Sequence, residues 1–352
     1  MRELLDYLEQ AVAEQASDLF IVAGGPVCEK VEGRLRPISG EKVFPAETER
    51  LIMGLYDMAD RSMDAYRATG DDDFSFAVPG MARFRVNAYR QRGSLAAVVR
   101  LVAFDIPDYR TLRIPEQVMD LADLAHGMVL VTGTAGSGKS TTQACIIDRI
   151  NQTQEKHIIT LEDPVEYLHR NRKSIVSQRE IAIDTTDYLS ALRACLRQAP
   201  DVILLGEMRD PETIRTALTA AETGHLVIAT LHTGGAVNTI DRMIDAFPAA
   251  QQGQVRVQLA AVLHTVVSQK LLAAEDGGRV PAFEIMHMNP AIRNMIRECK
   301  THQIDNVIRT SASQGMVSMD QYLERLAAEG RVERQVAAEN AEDPEQLLRR
   351  LG

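Results

Sequence analysis

The sequence predicts a two-part α/β protein: a small α+β domain with an antiparallel sheet over residues 1–104, then an open parallel α/β domain over 105–352 that is mainly helical from about 251. Three observations carry this prediction. Residues 82–89 alternate apolar and polar side chains with period two, as a strand with one wet face does. From about residue 115, short apolar runs alternate with helix-patterned runs, the mark of strand–helix–strand crossovers. The glycine-rich segment 133–140 lies between an apolar run, 127–132, and a helical pattern, 141–150.

Taken in order, a leading amphipathic helix covers roughly 2–16, followed by a strand-like run at 17–23 and the turn Gly24-Gly25-Pro26. Short strand-like runs cover 27–31 and 35–38. A single helix is expected over about 46–68, with Leu51, Ile52, Leu55 and Met58 on one face. Phe74 to Val78 and Ala82 to Tyr89 flank a Pro79-Gly80 turn. Alternation stops and proline enters near 103–109, which places a linker at about 103–114. Strands follow near 128–132, 157–161, 202–206 and 226–231, and the charged tail, about 327–352, is expected to pack loosely.

Composition narrows the possible functions. A chain of 352 residues exceeds one ordinary core, so two domains are expected. No run approaches the ~20 apolar residues that span a bilayer, and Glu3 and Asp6 interrupt what a secretory leader would need to keep apolar. The expected location is therefore the cytoplasm, with membrane contact made through partners and no direct insertion. A net charge of −10 argues against general nucleic-acid binding. Cys28, Cys145, Cys195 and Cys299 form no C-x-x-C pair; Cys145 and Cys195 lie in apolar helical patterns and read as reduced core thiols.

The segment Gly133-Thr134-Ala135-Gly136-Ser137-Gly138-Lys139-Ser140 fits G-x-x-x-x-G-K-[ST]. Its glycines allow the tight turn that points successive N–H groups at an anion, and a following helix adds partial positive charge. Lys139 would reach the β- and γ-phosphates of ATP, Ser140 would ligate Mg²⁺, and Thr141 continues the binding segment into the helix. A glycine-rich turn that binds nothing is the bland alternative, and the flanking strand and helix weigh against it.

Ligands of open α/β sheets bind outside the carboxyl ends of the strands. Three more strand ends carry suitable chemistry: 157–161 runs into Glu162, 202–206 into Glu207, and 226–231 into His232. A carboxylate at the end of the strand beside the phosphate loop can hold Mg²⁺ or orient the attacking water, and Glu207 is the candidate. Glu162 is the second carboxylate, expected to align the water, and His232 could report loss of the γ-phosphate. Acids after strands also cap helices, and a histidine at a strand end can be a simple boundary residue. Arg83 and Arg85 share one face of an alternating strand, where they could meet a triphosphate or form a solvated, salt-bridged surface.

These residues carry a resemblance. The stretch 196–210, from Leu196-Arg197-Gln198-Ala199-Pro200 to Gly206-Glu207-Met208-Arg209-Asp210, looks like the signature of type II secretion and type IV pilus ATPases. Residues 159–166 are similar to that family's Asp box and 223–233 to its His box, so four boxes stand in family order along essentially the whole chain. Within the family the sequence looks most like the PilT-like retraction branch. It has one small domain before the motor domain, lacks a tetracysteine zinc element, and carries Ala291-Ile292-Arg293-Asn294-Met295-Ile296-Arg297-Glu298, close to the retraction motif AIRNLIRE. Read alone, that segment is an amphipathic helix with Ile292, Met295, Ile296 and Cys299 on one face.

The resemblance implies a PAS-like N-terminal domain, a RecA-like P-loop ATPase domain and a homohexamer that hydrolyses ATP with Mg²⁺ to drive pilus retraction. It further implies cationic side chains of the small domain closing over the phosphates, a domain swing on hydrolysis, an inner-membrane platform partner of the PilC type, and other pilus ATPases as further partners. Departures are Thr134-Ala135 for the usual Pro-Thr, Phe20 where relatives often have His, and Cys299 where Gly is usual. Competing readings are an ATPase for pilus assembly or type II secretion, a nucleotide-gated binding module, and a nucleic-acid translocase.

Overall fold

The computed structural model describes residues 3–31, 33–38, 40–102 and 106–352. It divides into two compact units, residues 1–105 with 166–168, and residues 106–165 with 169–352. The stretch 103–105 of the expected linker lies outside the described residues, as do Met1 and Arg2.

The first unit contains α1 (Leu4–Ala13), β1 (Asp18–Ile21), β2 (Cys28–Val31), β3 (Arg34–Pro37), α2 (Pro45–Met58), α3 (Asp64–Thr69), β4 (Asp71–Val78), β5 (Ala82–Gln91) and β6 (Ser94–Val102). The sheet order is β3-β2-β1-β6-β5-β4, antiparallel throughout. Alternation on β5 does what the sequence predicts: Ala82, Phe84, Val86 and Ala88 are buried, while Arg83, Arg85 and Asn87 take the other face. The buried face packs on Leu51, Ile52, Leu55 and Tyr56 of α2, building a PAS-like α+β core. The single helix expected over 46–68 is two. The break follows Ala59, because Asp60 adopts φ +48°, a left-handed conformation no continuing helix accommodates.

The second unit contains α4 (Glu116–Met119), β7 (Gly127–Thr132), α5 (Lys139–Thr153), β8 (His157–Glu162), β9 (Ile175–Glu180), α6 (Tyr188–Cys195), β10 (Val202–Leu205), α7 (Pro211–Glu222), β11 (Leu226–Leu231), α8 (Ala236–Asp245) and α9 (Ala249–Val262). The chain continues through β12 (Leu263–Ala273), β13 (Arg279–His287), α10 (Pro290–Arg297), α11 (Ile304–Thr310), α12 (Met319–Ala328), α13 (Arg334–Glu339) and α14 (Pro344–Leu351). The sheet order is β13-β12-β7-β11-β10-β8-β9, parallel except for the β12–β13 pair. β7, β10 and β11 are buried at every position, because helices cover both faces. Met128 and Leu130 face the layer with Leu192, Ile214 and Ile240; Val129 and Val131 face Ile146, Ile147, Leu323 and Leu326. This is a RecA-like α/β domain with a mainly helical C-terminal part.

Three features of this unit differ from the sequence reading. The C-terminal part is helical apart from the hairpin of β12 and β13, which extends the main sheet. Its strands are near-continuous buried runs, which periodicity alone does not separate from a buried helix. β9 is an additional strand, with polar Ser177, Gln178 and Arg179 concealing it. The tail is not loose: Ala337, Ala338 and Leu347 are buried against the layer that includes Phe283 and Tyr322.

Candidate active site

The register of the parallel sheet aligns the strand ends. Leu231 pairs with Thr132, Leu205 with Ala229 and with Leu161, so Gly133, His232, Gly206-Glu207 and Glu162 all emerge at one edge. Helix α5 opens there with its N-terminus toward the same edge, a ready anion site.

The phosphate loop leaves no room for a side chain at two of its glycines. Gly133 has φ +142°, and a Cβ there would stand 2.3 Å from the Gln269 carbonyl oxygen and 2.6 Å from Ser137 Oγ. Gly138 has φ +90°, and its Cβ would meet Gln269 Nε2 at 2.8 Å. Gln269, on β12, also accepts a hydrogen bond from Thr142 Oγ1 at 2.8 Å, tying loop and helix to the neighbouring strand. Thr134, Ala135 and Gly136 are exposed at the loop tip, while Ser140 and Thr141 are half-buried on the first turn of α5.

Lys139 is buried, and its Nζ donates to the carbonyls of Gly133 and Thr134, each at 2.9 Å. The same ammonium stands 3.5 Å from His232 Nδ1, and His232 Nε2 stands 3.5 Å from Glu207 Oε1. Glu207 Oε2 is bound by Arg209 at 2.7 Å. Lys139, His232, Glu207 and Arg209 therefore form a continuous polar chain from phosphate loop to β10. Burial works to raise the Glu207 carboxyl, but the Arg209 ion pair, with His232 and Lys139 close by, holds it below the usual carboxylate range. Glu207 is thus ionised at neutral pH. Glu162 Oε1 accepts from Thr160 Oγ1 at 2.6 Å and from Gln178 Nε2 at 3.2 Å, which fixes its carboxylate at the end of β8.

The expectation that Glu207 ends the strand beside the phosphate-loop strand is corrected. β11 lies between β7 and β10, so His232 is the immediate neighbour of the loop and Glu207 stands one strand further out. The crossover order of a parallel sheet is not written in strand sequence, only in how the helices pack.

Some of the site was not foreseen. Arg209 lies within the quoted signature but had no assigned role. Tyr188, at the start of α6, brings its hydroxyl to 2.9 Å from where a Gly206 Cβ would be. Burial, then the charges of Asp163, Glu207 and Glu162, push its phenol pKa up, so it stays a neutral hydroxyl among carboxylates. Nothing in the sequence around Tyr188 signals this. Arg83 and Arg85 belong to the first unit. Arg85 lines a cavity of about 220 Å³ on the open face of that sheet with Asp18, Asp73, Asn87, Val98 and Arg100.

The donor set suits nucleotide and Mg²⁺. Ser137 Oγ is buried without a hydrogen-bond partner among the described residues, a donor aimed within a phosphate loop. The available metal donors, Ser140 hydroxyl and Glu207 carboxylate, are hard oxygens. Among the described residues no three His, Cys, Asp or Glu side chains converge into a protein-only cage, and an ion held largely by phosphates and water requires none.

An open parallel sheet, a phosphate loop, two carboxylates and a histidine at neighbouring strand ends define a P-loop nucleotide hydrolase. The family model described as "Type II/IV secretion system protein" matches residues 1–340, and the chain belongs to that family of ATPases. It is 45% identical over 344 residues to the type IV pilus retraction ATPase PilT of Pseudomonas aeruginosa, covering 97% of this chain and 99% of that protein. It is also 45% identical over 319 residues to a twitching motility protein of Neisseria gonorrhoeae, covering 90% and 85% of the two chains. A crystal structure of the pilus retraction motor PilT with bound ADP superposes with a TM-score of 0.92 at 43% identity, covering 99% of this chain and 100% of that one.

Proposed function

We propose that this ATPase is the motor of type IV pilus retraction, acting as a homohexamer that converts ATP hydrolysis into force on an inner-membrane platform protein of the PilC type. The observation that carries the reading is likeness to a retraction ATPase along the whole chain, with the strand-end site intact. No helix among the described residues is long and apolar enough to cross a membrane, so force must reach the membrane through a partner.

Lys139 is held by two loop carbonyls and can exchange them for phosphate oxygens. Mg²⁺, held by Ser140 and by Glu207 through water, would neutralise charge developing on the phosphoryl group. Glu162, fixed at the end of β8 by Thr160 and Gln178, is the second carboxylate suited to orienting the attacking water. The His232 ring bridges its neighbours, with Nε2 toward Glu207 and Nδ1 toward Lys139. When Lys139 moves to the γ-phosphate that bridge is released, so His232 registers nucleotide state.

Retraction, rather than assembly, is favoured by α10. Asn289 caps its N-terminus through Ile292 N at 2.9 Å, Ile292 and Ile296 are buried, and Arg293 Nη1 donates to the carbonyls of Ala260 and Ala261 at the end of α9. The helix is thereby locked to α9, leaving Arg297 and Glu298 exposed. Cells lacking the protein are expected to be hyperpiliated and non-motile on surfaces by electron microscopy and twitching assays. Bald cells would overturn retraction in favour of assembly.

A further inference from the structure

One row of the second sheet carries buried polar side chains among apolar neighbours. Ser268 of β12 stands beside Thr132 of β7 and opposite Glu284 of β13. Thr132 is the last residue before the phosphate loop. All three are almost wholly enclosed, with Ser268 and Glu284 each 2% exposed. Buried hydroxyls and carboxylates are costly unless partnered, so their partners say what they do.

Their partners are the first backbone groups of α8. Gly235 N donates to Ser268 Oγ at 2.8 Å, and Ala236 N donates to Glu284 Oε1 at 2.7 Å. Thr132 Oγ1 donates to the same Ser268 oxygen at 3.1 Å. Gly235 is the N-cap of α8, at φ +83°, and has no side chain with which to cap the helix. Two strands supply the acceptors instead. A hydrogen-bonded row thus runs from the root of the phosphate loop through Ser268 to the turn that begins at His232. On its far side Glu284 Oε2 lies 3.4 Å from Met319 N, at the start of α12.

We propose that Ser268 and Glu284 are positioning residues for hydrolysis: they hold the turn 233–235, and with it His232, in register with the phosphate loop. The proposal rests on the role given to His232 above. An apolar pair would fill the same volume but would leave the Gly235 and Ala236 N–H groups unsatisfied, freeing the turn to drift. Because Ser268 accepts from both loop strand and turn, displacement of either is felt by the other. Glu284 carries the same displacement to α12 and the C-terminal helices.

The carboxyl of Glu284 gives this row a pH signature. Burial raises its pKa to about 7, and the nearby carboxylates of Glu342 and Asp305 raise it too, against the N–H groups of Ala236 and Met319. Glu342 is itself paired with Arg309 of α11 at 3.4 Å, and Asp320 of α12 accepts from the N–H groups of Glu342 and Asp343. Lys270, further along β12, is turned to the Asn340 carbonyl. A protonated Glu284 keeps an acceptor for Ala236 but gives up the one facing Met319, so the link from this row to α12 is complete only above about pH 7. A raised acid pKa favours the protonated fold. Stability from this group is therefore full below its ordinary value and lost as pH rises through about 7, while positioning improves over the same range.

The test uses full-length protein carrying Ser268→Ala, Ser268→Thr or Glu284→Gln, each also combined with His232→Ala. Ser268→Ala should lower kcat about tenfold with ADP affinity unchanged, and Ser268→Thr should restore it. Glu284→Gln should remove the limb near pH 7 from the kcat profile. In a His232→Ala background neither change should lower kcat further. Wild-type kcat and pH profile in both single variants, or effects that multiply with His232→Ala, overturn the proposal alone. Wild-type turnover in His232→Ala itself overturns the reading beneath it, and the proposal falls with it. Should Ser268→Ala fail to fold, the isosteric Glu284→Gln and its pH profile decide the matter.

Discussion

The two sheets of this protein solve burial differently, and the difference decides where chemistry can sit. In the first unit β5 alternates, so half its side chains face away from the core and polar groups such as Arg85, Asn87 and Asp73 gather on a sheet face. In the second unit β7, β10 and β11 are buried on both faces, leaving no sheet face for polar groups. Reactive side chains are driven to the strand ends, where the backbone delivers Gly133, Glu207, Glu162 and His232 along one edge. Buried polar residues of the sheet are tied to that edge as well: Ser268, Glu284 and Gln269 accept from the turn, from α8 and from α5, and Thr132 donates to Ser268.

The strongest way to break the contrast is at the edge itself. Lys139→Ala and Glu207→Gln should each lower steady-state ATP turnover by about 10²-fold or more. Only Lys139→Ala should also weaken ADP binding in a fluorescence titration, because Glu207 acts on water and metal. Substantial turnover in either variant would deny the strand ends their role.

A glycine pair tests the same contrast through packing. Gly133→Ala meets the Gln269 backbone and a forbidden φ, and should cost more than about 3 kcal/mol and abolish nucleotide binding. Gly93→Ala, in the β5–β6 turn of the first unit, meets nothing within 4 Å and bears only the strain of φ +78°, about 1 kcal/mol. Equal effects on melting temperature would show that the crowding at the loop is unimportant.

The smallest effect expected is a gain. α10 ends in a Schellman arrangement, with Lys300 N bonded to Met295 O at 2.8 Å and Cys299 N to Ile296 O at 3.4 Å. Cys299 takes φ +60°, the position glycine fills without strain. Cys299→Gly should stabilise the fold by about 1 kcal/mol and raise Tm by about 2–4 °C. A lower Tm would mean the thiol makes a compensating contact. The usual glycine at this position thus has a backbone reason.

Much of this was legible from local pattern. The phosphate loop is a contiguous string whose spacing encodes its geometry, and the strand-end acids and histidine each follow an apolar run. Cys145 and Cys195 read as core thiols and are buried, with burial raising their pKa values to about 12 and about 11. Features built from distant segments were less legible. β12 and β13 look like any buried run, Tyr188 reaches the carboxylates only because α6 packs beside Gly206, and the tail is held by contacts with α12.

By itself the sequence determined the ligand class, the two-part α/β architecture and the residues at each strand end, because turns, burial and capping are short-range. Tertiary structure alone decided the order of the strands. That order sets His232 between loop and Glu207, and Ser268 between Thr132 and Glu284. Neighbours across a sheet are chosen by how helices cover both faces, a property of the whole domain that no local stretch contains.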